Sequence, residues 1–172
     1  MAVEVEATRT FLEMTAPSEL RPARIPAHRA TLQQVTRCPP SFYRYLYVTV
    51  GADYHWIDRL HWTDQQIHAY LTQRAVELWV LSVDGAPAGF FELRRDEAEG
   101  VEIAYFGLLR EFFGQGLGGH LLSEAVKRAF AISANRVWLH TCTLDHPAAL
   151  HNYLERGFRV FRVERFTAQL RQ

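Results

Sequence analysis

The sequence predicts an α+β domain with a mixed, mostly antiparallel central sheet and helices on both faces. Three observations carry this. Residues 76–83 and 88–95 are β-rich runs joined by Asp84-Gly85-Ala86-Pro87, the pattern of an antiparallel hairpin, and a second turn at 96–100 adds strand 101–109 beside it. An amphipathic helix over 117–131 then separates 101–109 from the apolar run 137–143, so those two strands should be parallel. Only one such βαβ unit is present, which excludes a doubly wound sheet.

In chain order, residues 3–14 alternate Val3, Val5 and Ala7 against Glu4, Glu6 and Thr8 and predict a first strand, polar on one side. Three prolines (17, 22 and 26) make 16–29 a loop or extended segment, and Pro39-Pro40 closes a further irregular stretch. Residues 42–48 are dense in aromatics and predict a short helix. Residues 51–62 carry Trp, Tyr, His and Arg without either period. Thr63-Asp-Gln-Gln66 has the form of a capping box for a helix to about residue 74, with Ile67, Tyr70 and Leu71 inward. Asp145-His-Pro147 is read as the cap of a helix over 146–156, with Gly157 closing it and 158–170 forming the last strand.

The 172 residues suit one ordinary domain, and no linker or repeat divides 1–172. Lys+Arg and Asp+Glu both number 19, so the balanced charge argues against nucleic acid or an anionic membrane as partner. No apolar run is long enough to span a bilayer, no signal peptide is visible, and two cysteines (Cys38, Cys142) make no disulfide framework; a cytoplasmic location is expected. Oligomeric state is not legible. The eight histidines show no ligand spacing with a third donor, so no metal is expected.

The chain is organised around 101–119. An apolar strand runs into Gly114, Gly116, Gly118 and Gly119, and a helix opens at once. Bare amides at a helix start, with glycines that let a ligand approach, form an anion site. The literal G-x-G-x-x-G raises a dinucleotide site, but that fingerprint belongs to the first unit of a repeated parallel sheet, with an acidic residue about 20 positions on. A nucleotide P-loop fails for want of Lys-Ser/Thr after the last glycine. A tight turn without ligand is the remaining bland reading.

Phe113-Gly-Gln-Gly116-Leu-Gly118 resembles the Gln/Arg-x-x-Gly-x-Gly/Ala loop of the GNAT superfamily, the acyl-CoA-dependent N-acetyltransferases. It carries Phe113 where Gln or Arg is usual. Independently, 144–158 resembles that superfamily's Asn-x-x-Ala-x-x-x-Tyr-x-x-x-Gly-Phe segment through Ala149, Tyr153, Gly157 and Phe158, with His146 at the Asn position. The resemblance covers 76–170 well and 1–75 in outline. It implies a GNAT-like sheet with a splayed parallel pair and acetyl-CoA as co-substrate. The implied cofactor contacts are Phe106, Leu108, Arg110, Gly114, Gln115, Gly116, Leu117, Gly118, Gly119, His146, Asn152 and Tyr153, with backbone around 106–108 holding the acetyl carbonyl. Tyr153 matches the tyrosine that protonates the departing thiolate.

Glu102 is a carboxylate in an otherwise apolar strand, where burial in a cleft would suit a general base. Its spacing before the glycine loop is similar to that of the catalytic glutamate of the histone-type branch. It can equally pair with Arg94 or Arg95, and Glu92 on the neighbouring strand is the substitute. Trp56, Arg59 and Trp62, with Tyr105, either line an acceptor pocket or serve as core plugs and surface cations. The resulting expectation is direct acetyl transfer from acetyl-CoA to a primary amine of a small molecule. A non-catalytic acyl-CoA-binding module and transfer to a protein amine stand as alternatives.

Overall fold

The computed structural model describes residues 3–27, 29–133 and 135–170. The strands are β1 (Glu4–Met14), β2 (Ala30–Gln34), β3 (Val76–Val83), β4 (Ala86–Asp96), β5 (Gly100–Leu108), β6 (Val137–Cys142) and β7 (Arg159–Gln169). The helices are α1 (Pro40–Gly51), α2 (Asp64–Leu71), α3 (Leu117–Ile132) and α4 (Ala149–Glu155). One sheet holds all seven strands in the order β2-β3-β4-β5-β6-β1-β7, and β5–β6 is its parallel pair.

The local signals explain most elements. Asp84 (φ 49°) and Gly85 (φ 88°) form the two-residue turn of the β3–β4 hairpin, whose primed geometry matches strand twist. Thr63 and Gln66 make the capping box of α2: the Gln66 amide donates to Thr63 Oγ1 at 3.2 Å, and the Thr63 amide donates to Gln66 Oε1 at 2.8 Å. At the end of α4, the Phe158 amide donates to the Tyr153 carbonyl and the Gly157 amide to the Leu154 carbonyl, with Gly157 left-handed at φ 106°. This is the helix stop that a C-terminal glycine predicts.

α3 lies on one face of the sheet. Leu117, Leu121, Leu122, Ala125, Val126 and Ala129 pack on Leu12, Met14, Leu93, Val101, Ile103 and Leu139. Full burial of one such leucine removes enough apolar surface that truncation to alanine costs about 2–5 kcal/mol. α1 and α2 cover the opposite face of β3, β4 and β5 with Tyr43, Leu46, Tyr47, Val50 and Ile67.

Two expectations change, and the fold adds the place of the first strand. Residues 30–34 form an edge strand where an irregular segment was expected, pairing with β3. The first strand is interior, between β6 and β7, so the N-terminal strand completes the C-terminal half of the sheet. The last helix begins at Ala149, not 146. Asp145 turns back to accept from Thr141 Oγ1 and from the Cys142 amide at 2.9 Å, closing the end of β6 instead of capping α4.

Candidate active site

β5 and β6 pair only at Val101–Val137 and Glu102–Trp138. Beyond that point β5 stays with β4 as far as Leu108, while β6 follows β1 to Cys142. The wedge between them opens a cleft of about 810 Å³. The parallel register puts Glu102 and Trp138 on one side of the sheet at this opening, because paired residues share a side.

The glycine loop lies at one end of the cleft. Gly114 (φ 73°) and Gly116 (φ 75°) are left-handed, and Gly116 immediately precedes α3 with no side chain capping the helix. Nothing lies within 4 Å of where a Cβ on either would stand. Open space thus faces the unbonded first amides of α3, from Leu117, Gly118 and Gly119, at the positive end of the helix dipole. That cradle fits a pyrophosphate. Phe106, Leu108, Asn152 and His146 line the same cleft. Arg110 and Gln115 do not: Arg110 is held by Asp53 at 2.5 Å, and the Gln115 amide points back to the Glu111 carbonyl. Phe113 meets the His146 ring edge to face at 5.3 Å, and Tyr54 approaches the far side of His146 at 6.3 Å.

Tyr153 is 7% exposed on the cleft wall, its ring held by Phe106 and Phe158. Its hydroxyl makes no hydrogen bond with the described residues. Burial first, and Asp145 second, push the phenol well above its ordinary range, so it stays protonated. Glu102 is also 7% exposed on the cleft, and Arg94 donates to Glu102 Oε2 at 2.5 Å. The expected carboxylate is in place, and so is its expected ion-pair partner. Glu92, the substitute, is fully buried and bound by Arg59, Tyr43 and Tyr70, so it cannot reach a substrate.

A match over residues 38–158 to the model of the Acetyltransferase (GNAT) family covers most of the chain. The chain belongs to the GNAT acetyltransferase family. Solved structures agree on the fold. A GCN5-related N-acetyltransferase from Kribbella flavida superposes with a TM-score of 0.67 at 18% identity, over 97% of this chain and 60% of that one. One from Sphaerobacter thermophilus gives 0.67 at 18%, over 99% and 54%. A functionally unknown conserved protein from Staphylococcus epidermidis gives 0.64 at 19%, over 97% and 62%. The chain therefore spans only about half to six tenths of those chains. No curated protein sequence matches it.

GNAT enzymes use acetyl-CoA as co-substrate, and the described residues contain no cluster able to hold a metal ion. On the acceptor side of this GNAT cleft, Trp56 and Tyr105 pack at 4.8 Å and both line the wall. Arg59 borders the cleft but its guanidinium is committed. It is 8% exposed, bonded to Glu92 at 2.8 Å, and enclosed by Tyr70, Tyr105 and Trp62 at 4.0, 4.5 and 4.7 Å. Trp62 packs on Tyr70 and is not among the residues lining the cleft, whereas Arg59 lines it with its guanidinium held by Glu92. The cleft residues that escaped the sequence reading include Arg9 of β1, Asp58, and His140 of β6. A period-2 reading of Val137-Trp-Leu-His140 would have placed His140 opposite the core-facing Val137 and Leu139.

Proposed function

We propose that residues 1–172 act as one cytoplasmic N-acetyltransferase domain, moving acetyl from acetyl-CoA to a primary amine of a small molecule by direct transfer in a ternary complex. The observation that carries this reading is the shared cleft. The glycine cradle, the backbone of β5 at 106–108 (paired with β4 but not with β6), Tyr153 and Glu102 all border it.

When bound, acetyl-CoA supplies an activated acyl carbon and a thiolate leaving group. Leu117, Gly118 and Gly119 amides bind the pyrophosphate, and Asn152 and the Phe113–His146 pair close over the same end. Backbone amides of β5 beyond the splay hold the carbonyl oxygen and stabilise its growing charge. Tyr153 gives its phenolic proton to sulfur. Glu102 draws the incoming ammonium into the cleft and takes its first proton, directly or through water. A small acceptor is favoured because the 54–58 segment contributes Tyr54, Trp56 and Ile57 to the cleft lining, an aromatic and apolar wall suited to a small molecule.

Thiol release from acetyl-CoA across panels of small amines and peptides tests the reading. Turnover with small amines is expected. Turnover only with peptide amines assigns a protein acceptor, and CoA binding by calorimetry without any turnover assigns a binding module. Unchanged rates in both Glu102→Gln and Tyr153→Phe would refute the two roles.

A further inference from the structure

His140 is an imidazole lining the cleft that the proposed mechanism leaves unused. It lies two residues beyond Trp138, whose cross-strand partner is Glu102. His140 therefore shares the face of Glu102 and sits about 7 Å further into the splay, toward the acyl end of the cleft. Its ring rests on Phe11 at 5.4 Å, and neither nitrogen bonds to a described residue. The side chain is exposed to the cleft, unlike Glu102, which Arg94 already engages.

Its surroundings favour the neutral ring. Loss of water around an imidazolium and repulsion from Arg9 of β1 push its pKa below the usual histidine value, against weaker pulls from Glu102 of β5, Asp145 after β6 and Asp58 of the 54–58 segment. Glu164 of β7 bonds Arg9 at 3.1 Å, and Arg162 of β7 lies on Phe11 at 3.8 Å, so the β7 charges are turned to other partners. A neutral imidazole with a free nitrogen is a proton acceptor at neutral pH.

We propose that His140 is a catalytic base that takes the proton released by the acceptor nitrogen as its bond to the acyl carbon forms. The proposal rests on the acetyltransferase reading above. Glu102 receives the proton that turns the ammonium into a nucleophilic amine. As the carbon–nitrogen bond forms and the carbon–sulfur bond breaks, the nitrogen's second proton passes to His140 and Tyr153 protonates the thiolate. Tyr153 is reprotonated from solvent, while Glu102 and His140 each release a proton to it, so the net product is the one proton the ammonium carried and both protons and charge balance.

The test measures initial rates of thiol release from acetyl-CoA, with an amine that the unchanged protein accepts, from pH 5 to 9. His140→Phe keeps a ring on Phe11 and should lose roughly 10²–10³-fold in kcat, with KM for acetyl-CoA unchanged. The ratio of its rate to that of the unchanged protein, which cancels the amine's own ionisation, should stay flat through the ordinary histidine range and rise only at lower pH, because the ring's pKa is pushed down. Imidazole added to His140→Ala should restore part of the rate. His140→Phe within threefold of the unchanged protein, a ratio flat over the whole pH range, or no rescue of folded His140→Ala would each overturn the proposal. No thiol release by the unchanged protein with any amine would overturn the acetyltransferase reading first, and His140's role with it.

Discussion

Phe113 and His146, the two residues that depart from the family's motifs, pack against each other edge to face at 5.3 Å. One belongs to the glycine loop and the other to the turn before α4, so the departures are a pair and not two separate losses. Where the usual residues offer polar side chains, this chain joins the two banks of the donor end through an aromatic contact. Such contacts contribute about 0.5–1.5 kcal/mol beyond area burial. A double-mutant cycle of Phe113→Gln and His146→Asn should show coupling of that size in urea unfolding. Additive losses would mean that the rings merely sit side by side.

Tyr153→Phe should lower kcat by about 10²-fold or more and leave the melting temperature within a degree or two. The hydroxyl bonds to none of the described residues, so its removal leaves no buried partner unsatisfied. Rate and melting measured on the same preparation separate a proton donor from a packing residue. A large fall in Tm would assign Tyr153 to the core.

Arg59→Ala should destabilise the protein by about 3–5 kcal/mol, because it strands the fully buried Glu92 carboxylate. Replacing both, as Arg59→Met with Glu92→Leu, should recover much of that loss. The Arg59 and Glu92 side chains tie the 55–62 segment to β4, and Asp58 beside Arg59 accepts from Tyr105 Oη at 3.2 Å. Activity of the double variant then reports whether this ion pair also positions the 54–58 lining of the acceptor side.

These residues show what was legible in the sequence. Elements fixed by neighbours in the chain were readable: Asp84-Gly85 sets its own turn, Thr63 and Gln66 cap each other, and Gly116 ends a strand–loop–helix unit. Contacts made across long separations were not. Val3, Val5 and Ala7 announce a strand, yet nothing local says that it lies between β6 and β7, more than a hundred residues on. β2 was missed because an edge strand needs little apolar surface, and Thr31, Gln33 and Gln34 supply none. Arg59 had the composition of a recognition residue. Its guanidinium is taken up by Glu92, a partner that only the fold brings near.

Glu102→Gln should reduce kcat/KM for the amine more than KM for acetyl-CoA, since Glu102 faces the acceptor side while the glycine cradle is distant from it. Arg94→Ala separates two roles for the ion pair. If Arg94 only orients the carboxylate, its removal should cost the rate about tenfold or less and leave Glu102→Gln no worse in the Arg94→Ala background. Arg94 is half exposed, so solvent can replace it and stability should fall by under about 1 kcal/mol. Fully additive rate losses in the double variant would show that Arg94 acts on the substrate separately.

The alkaline limit of stability follows from buried phenols. Tyr70 donates to Glu92 Oε2 at 3.0 Å, and burial first, then the Glu92 charge, raise its pKa to about 12. Burial also raises Tyr43, Tyr47, Tyr105 and Tyr153. An unfolded chain ionises its tyrosines near pH 10, so below that value neither state loses these protons and stability is unaffected. Above it the unfolded state sheds protons that the native state keeps, and stability falls as pH rises, Tyr70 alone accounting for about 2 kcal/mol by pH 12. Urea unfolding at pH 8, 10 and 11.5 should show a flat stretch and then a decline. In Tyr70→Phe the decline should be shallower, since the group that drives part of it is gone; an unchanged slope would place the loss on the other raised tyrosines, Tyr54 among them.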